Sequence, residues 1–333
     1  MEVDSLNLSQ ELQEPLAQLL IALGGGIELH DIPSMRERLN RVCEAVAVPA
    51  PFASHPLKGC GCLVVLHEYR PAQSCASDTW PALLWFHGGG YVMGKALHDD
   101  VLCQRFADDL GIRVFSLDYP LAPEHPYPHA LLAAEAAWDW LLSEALPSCR
   151  TPRIAVGGAS AGGGLAASLV LRLRDRSRTT GVQAILPCLQ WLMYPMLDSR
   201  TRVAQDASDT LLWTGACNRQ AWHSLLDTRA AALASLPADM ALAMAAQPYF
   251  SPSEVDDLSG LPEAFIAIGT IDLFYAENQA YAKRLHQSGV PCELHEFADA
   301  PHAFDAFAPQ ASASVTFEGL RMTCLRNALF QGS

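Results

Sequence analysis

Residues 153–164 read Arg153-Ile154-Ala155-Val156-Gly157-Gly158-Ala159-Ser160-Ala161-Gly162-Gly163-Gly164. The apolar stretch Ile154 to Val156 predicts a short buried strand over 153–156, and the Ala- and Leu-rich stretch 161–174 predicts a helix. Between them stands one serine, with a glycine two residues before it and two after. A strand–Gly-x-Ser-x-Gly–helix arrangement sets the serine on a sharp turn, so that its hydroxyl stands clear of the sheet. The glycines let strand and helix approach closely. A helix N-terminus beginning near Ala161 favours negative charge developing beside that hydroxyl.

The segments around this turn repeat one rhythm. Strands are predicted at 63–69, 82–86, 113–117, within 184–194, at 264–268 and at 292–297. Helices are predicted at 99–110, 131–142, 277–287 and 315–329. Alternating strands and helices make crossover units, hence an α/β chain with a mostly parallel sheet covered on both faces. The first two of these strands, with little between them, predict an antiparallel edge. Two helices precede the sheet. Leucines at 8, 12, 16, 19, 20 and 23 mark the first, and 34–47 the second, with Ser34 and Glu37 at capping-box spacing. Residues 198–260 break the rhythm and read as an insertion carrying Trp213 and Trp222.

Composition narrows the function classes. Half of the 333 residues are apolar and 17% are charged, which suits a large buried core and excludes global disorder. A formal charge of −14 repels phosphate backbones and anionic membranes, so nucleic acid is not an expected partner. No apolar run is long enough to span a bilayer, and the start, MEVDSLNLSQ, does not read as a secretory signal. Ten cysteines are scattered without a CxxC pair, which predicts reduced thiols in a cytoplasmic protein rather than a zinc site.

A serine needs a base to become a nucleophile. Among eleven histidines, His302 lies in Asp299-Ala300-Pro301-His302-Ala303-Phe304, after the last strand and before the terminal helix. Asp272 follows the apolar strand Phe265-Ile266-Ala267-Ile268 and precedes a helix, so it is the candidate acid, and an aspartate there can also cap the helix. Asp256 and Asp257 precede that strand and fall at the wrong end of the sheet, while Asp299 and Asp305 are too local to orient the ring from behind. The order Ser, Asp, His is the order of triads built on a nucleophile elbow. His87-Gly88-Gly89-Gly90-Tyr91 follows the strand Ala82–Phe86, and such a segment supplies oxyanion N–H donors in lipases and esterases. The candidate donors are Gly88, Gly89 and Ala161. Tyr91, Trp213 and Trp222 are candidate substrate-binding side chains, against a competing role in packing.

With these segments in hand the chain resembles the hormone-sensitive lipase family of α/β-hydrolases, particularly its bacterial esterase-like members. The resemblance is carried by HGGG, by DYPLAPEHPYPHA, by GASAGGG, and by GLPEAFIAIGTIDLF with DAPHAF, spanning 82–307. It implies an α/β-hydrolase fold and a trio of Ser160, Asp272 and His302. It also implies a helical cap built from an N-terminal segment, 1–50, and the insertion at about 198–260 of a catalytic domain spanning 51–333. The chain departs from the family pattern at Ala159, where aspartate is usual, at Pro120, where arginine is common, and at Leu273-Phe274-Tyr275-Ala276 after the acid. The implied function is a serine carboxylesterase acting on small or short-acyl esters, with no metal or organic cofactor. A small-molecule ester is the expected partner, and a homodimer the expected assembly if the chain pairs at all. A lactonase or acyltransferase using the same trio stays open. So does a non-catalytic small-molecule receptor, although receptors of this type lack the histidine that this chain keeps.

Overall fold

Eight strands make one sheet in the order β1-β2-β4-β3-β5-β6-β7-β8. They are β1 (Ala53–Lys58), β2 (Leu63–Tyr69), β3 (Ala82–Phe86), β4 (Arg113–Asp118), β5 (Ile154–Ala159), β6 (Leu189–Met193), β7 (Ala264–Gly269) and β8 (Cys292–Phe297). The computed structural model describes residues 8–44, 50–58, 62–72, 81–146, 153–180, 185–201, 211–226 and 248–330. Cys60, Cys75, Cys149 and parts of both expected cap segments lie outside the described residues.

The sheet is α/β-hydrolase in kind, parallel from β4 through β3 to β8. The expected antiparallel edge is present, with a strand the sequence did not show. β2 does not pair with β3; it pairs antiparallel with β1 on one side and β4 on the other. Strand β1 was hidden in the sequence by Pro56 and by exposed alternate residues. At an edge, where only one side needs a ladder, a proline costs no hydrogen bond. The central strands show no alternation because both faces are covered. All five residues of β3 and of β6 are buried.

The helices are α1 (Gln10–Ala22), α2 (Ile32–Glu44), α3 (Asp100–Leu110), α4 (His129–Trp140), α5 (Ala161–Thr180), α6 (Gly215–Leu226), α7 (Tyr275–Gln287), the short α8 (Phe304–Phe307) and α9 (Ser312–Phe330). Helix α2 starts earlier than its expected cap: Asp31 Oδ1 accepts the Ser34 N–H at 3.1 Å, so Asp31, not Ser34, caps it. Helices α3 and α9 share one face of the sheet, joined by Arg105–Glu318 at 3.0 Å. Under them Trp85, Phe106 and Trp191 pack edge to face, with centroids 5.1–5.7 Å apart. Helices α4 and α5 cover the other face. The N-terminal segment reaches the insertion directly, since the Cys217 Sγ–H on α6 donates to Ile27 O at 3.1 Å.

Candidate active site

The serine turn is built by backbone against backbone. Ser160 sits at φ 57°, a left-handed conformation rare for a residue with a side chain. Its N–H donates to Met193 O of β6 at 2.9 Å, and its carbonyl accepts Gly164 and Met196 N–H, each at 3.0 Å. The flanking glycines are required sterically. A Cβ at Gly162 would lie 2.5 Å from His87 O and closer still to Phe86 O, and one at Gly158 would lie 2.5 Å from Gly162 O. Helix α5 therefore rests directly on the end of β3, which brings the triglycine loop beside the hydroxyl.

The three residues separated in sequence meet here. His302 Nε2 lies 2.9 Å from Ser160 Oγ, and His302 Nδ1 lies 2.7 Å from Asp272 Oδ2. Each of the three is 5% exposed. An ionised carboxylate only accepts, so Nδ1 carries the ring proton and the Nε2 lone pair faces the serine hydroxyl. The second carboxylate oxygen of Asp272 accepts the Phe274 N–H at 2.9 Å, just ahead of α7. One aspartate thus both shapes the turn into the helix and touches the imidazole. Asp299 and Asp305 do not touch the ring through hydrogen bonds; Asp305 accepts from Tyr194 and Arg321 instead. Asp257 pairs with Arg178 at 2.7 Å, away from the trio.

Gly88 and Gly89 follow β3, and an added Cβ on Gly88 would be 3.6 Å from Ser160 Cβ. Among the described residues no acceptor is paired with the N–H of Gly88, Gly89 or Ala161. The loop is braced from behind by His87, whose ring stacks on Tyr119 at 4.1 Å. Burial pushes the His87 pKa down, so the ring is neutral and its Nδ1–H donates to Gly88 O at 2.7 Å. The Tyr119 hydroxyl donates to His87 O at 2.9 Å.

Of the three aromatic candidates, Trp213 lies 6.5 Å from the His302 ring and packs on Gly90. Tyr91 (φ 63°) and Trp222 are buried against one another at 6.2 Å, and Trp222 Nε1 finds no acceptor among the described residues.

Three contributors carried no sequence signal. Arg36 on α2 donates through Nε to Val92 O at 2.7 Å and through Nη2 to Ala122 O at 2.8 Å, clamping the triglycine loop to the proline-rich turn. Glu124 holds the same guanidinium at 2.8 Å. Tyr194, at φ 37°, sets its ring edge-on to His302 at 5.0 Å. Burial pushes its phenol well above the ordinary range, so it stays a donor to Asp305 at 2.9 Å. Glu277 on α7 accepts the Leu197 N–H at 2.7 Å and the Thr201 hydroxyl, pinning the chain where the insertion begins.

Among the described residues, no group of three or more His, Cys, Asp or Glu side chains could hold a metal ion, and no helix is long and apolar enough to cross a membrane. Among the described residues, Cys103, Cys188, Cys217, Cys292 and Cys324 form no disulfide.

The profile of a family described by the alpha/beta hydrolase fold matches residues 83–306. The chain is 33% identical over 313 residues to the carboxylic ester hydrolase LipN of Mycobacterium tuberculosis, covering 91% of this chain and 78% of that one. It is 32% identical over 240 residues to an ethyl acetate hydrolase of Pseudomonas putida, covering 71% of this chain and 70% of that one. Among solved structures it resembles a bacterial heroin esterase, with TM-score 0.80, 30% identity and coverage of 97% and 98%. An esterase of Pyrobaculum calidifontis gives TM-score 0.80 at 26% identity, covering 96% of this chain and 98% of that one.

Proposed function

The chain belongs to the α/β-hydrolase family, in its hormone-sensitive lipase branch, and is a carboxylic ester hydrolase; from that premise we propose that Ser160 is its nucleophile, His302 its base and Asp272 the acid that orients the base. The observation that carries this reading is the unbroken chain Asp272 Oδ2–His302 Nδ1 and His302 Nε2–Ser160 Oγ, at 2.7 and 2.9 Å. Ser160 Oγ attacks the ester carbonyl as His302 Nε2 takes its proton. Asp272 holds the ring in the tautomer that leaves Nε2 free and stabilises the imidazolium. The N–H groups of Gly88, Gly89 and Ala161 receive the oxyanion; one such donor is worth on the order of 10²–10³ in rate. His302 then protonates the departing alkoxide. Water, deprotonated by the same nitrogen, attacks the acyl-serine, and His302 returns the proton to Ser160 Oγ as the acid is released.

The N-terminal segment 1–50 and the insertion at about 198–260 act together as the cap. Supporting this, Arg36 grips the triglycine loop, Trp213 packs on Gly90 beside His302, and Cys217 ties the insertion to residue 27. Ester size is set by this cap, and short-acyl or otherwise small esters are the substrates. Cys103, Cys188, Cys217, Cys292 and Cys324, none of them in a disulfide, support cytoplasmic residence, and the same reading admits a homodimer, which sedimentation of the purified chain reports directly. The test is hydrolysis of p-nitrophenyl esters of increasing acyl length. Ser160→Ala lowers kcat by on the order of 10⁶ with folding intact. A Ser160→Ala protein that keeps most of its activity overturns the assignment.

A further inference from the structure

Trp213 opens the second part of the insertion, yet it is 2% exposed. Its six-membered ring lies flush on the triglycine loop: a Cβ on Gly90 would fall 2.7 Å from Cζ2 and closer still to Cη2. The same indole stands 6.5 Å from the His302 ring, inclined by 38°. Gly90 belongs to the loop expected to hold the oxyanion, and His302 delivers the proton to the leaving group. One side chain thus lies against the triglycine loop and beside the His302 ring.

The indole is also fastened. Trp213 Nε1–H donates to Asn218 Oδ1 at 3.3 Å. Asn218, fully buried, donates through Nδ2 to Thr201 O at 3.2 Å. The Thr201 hydroxyl donates to Glu277, which also accepts from the Leu197 N–H at 2.7 Å. Glu277 lies five residues beyond Asp272, on the helix that Asp272 introduces. The preceding residue, Leu212, is held at φ 68°, a conformation that persists only where the surroundings over-determine it. A packing residue needs no such series of polar contacts back to the acid's helix; a wall whose position sets substrate fit does.

We propose that Trp213 is the size gate of the site, a positioned indole that closes the gap between Gly90 and His302 and so admits esters whose acyl and alcohol arms are each only a few carbons long. Asn218 is the positioning residue that holds it. This inference rests on the esterase reading of Ser160, His302 and Asp272, and it names what that site selects. One methylene in an apolar pocket is worth roughly 10–200-fold in discrimination, so moving a ring of this size resets the preference for chain length.

The experiment measures kcat/KM for two series, p-nitrophenyl esters from acetate to decanoate and acetate esters of alcohols from ethanol to octanol. The proteins are wild type, Trp213→Ala, Trp213→Phe and Asn218→Ala, each checked for folding by circular dichroism. Trp213→Ala raises the ratio of the long to the short ester by about 10-fold or more in at least one series. Asn218→Ala shifts the same ratio in the same direction by less, and Trp213→Phe, which keeps a ring over Gly90, stays nearer wild type. A uniform loss across both series, with ratios unchanged in Trp213→Ala, assigns the indole to packing and overturns the proposal. If Trp213→Ala does not fold, unchanged ratios in Asn218→Ala overturn it. Failure of the underlying reading looks different: wild type hydrolyses none of the esters, or Ser160→Ala hydrolyses them as well as wild type.

Discussion

Replacing Gly162 with alanine tests whether the site depends on backbone resting against backbone. The new methyl carbon meets His87 O at 2.5 Å and Phe86 O closer still, whereas ordinary contact begins at 3.4 Å. Neither oxygen is the tip of a flexible side chain, so α5 and the end of β3 must separate by about 1 Å. A shift of that size at a reacting centre costs about 10²-fold in rate, and overpacking of this kind destabilises by roughly 1–3 kcal/mol. The assay is kcat and KM on p-nitrophenyl acetate, with unfolding free energy from urea titration. We expect kcat to fall by about 100-fold with a small change in KM, because the serine is displaced from the oxyanion donors. Gly319 is the control. It lies exposed in α9 with nothing within 4 Å of an added Cβ, so alanine there stabilises by roughly 0.8–1.0 kcal/mol and leaves kcat unchanged. A Gly162→Ala protein within about threefold of wild-type kcat, or a Gly319→Ala protein that loses as much, refutes the reasoning.

Asp272→Asn favours the wrong imidazole tautomer and lowers kcat by about 10⁴ with KM little changed; steady-state kinetics show this, and a loss of under tenfold removes Asp272 from the role. Arg36→Met leaves the Val92 and Ala122 carbonyls without their charged donor, so stability falls by roughly 2–4 kcal/mol and kcat falls more than KM changes; an unaltered urea midpoint contradicts the clamp. Burial lifts the Glu277 carboxyl from 4.5 to about 8, so the folded chain holds this proton more tightly than the unfolded one. Relative to Glu277→Gln, wild type is therefore most stable at low pH and loses stability as pH rises from about 4.5 through about 8. Parallel urea curves for the two proteins at about pH 5 and about pH 9 rule this out.

How far the sequence reached depends on the range of the physics involved. The strand Ala82–Phe86 was legible to the residue because a doubly covered strand must be uniformly apolar, and that is a local property. Ser160, Asp272 and His302 were legible as candidates because each sits at a strand end with its own local context, and the structure brings them into one hydrogen-bonded series. Strand β5 runs three residues past its expected end, through Gly157, Gly158 and Ala159. Glycines read as the end of a strand, but here β3 and β6 on either side supply the ladder. Arg36, Tyr194 and Glu277 left no trace because their partners lie 56, 111 and 80 residues away. Nothing in a window around any of them distinguishes it from a surface arginine, a core tyrosine or a helical glutamate.

The contact of α5 with the end of β3 has a consequence for anyone who would retrain this protein on a new compound. Around Gly158 and Gly162 the nearest neighbours are backbone atoms, which no codon can change and which leave no tolerance for larger residues there. Libraries aimed at those positions will return clones that have lost most of their activity. On the reading proposed above, variation that survives comes from residues 211–226, where selection can reshape what packs on Gly90 while the Ser160–His302–Asp272 series stays as it is.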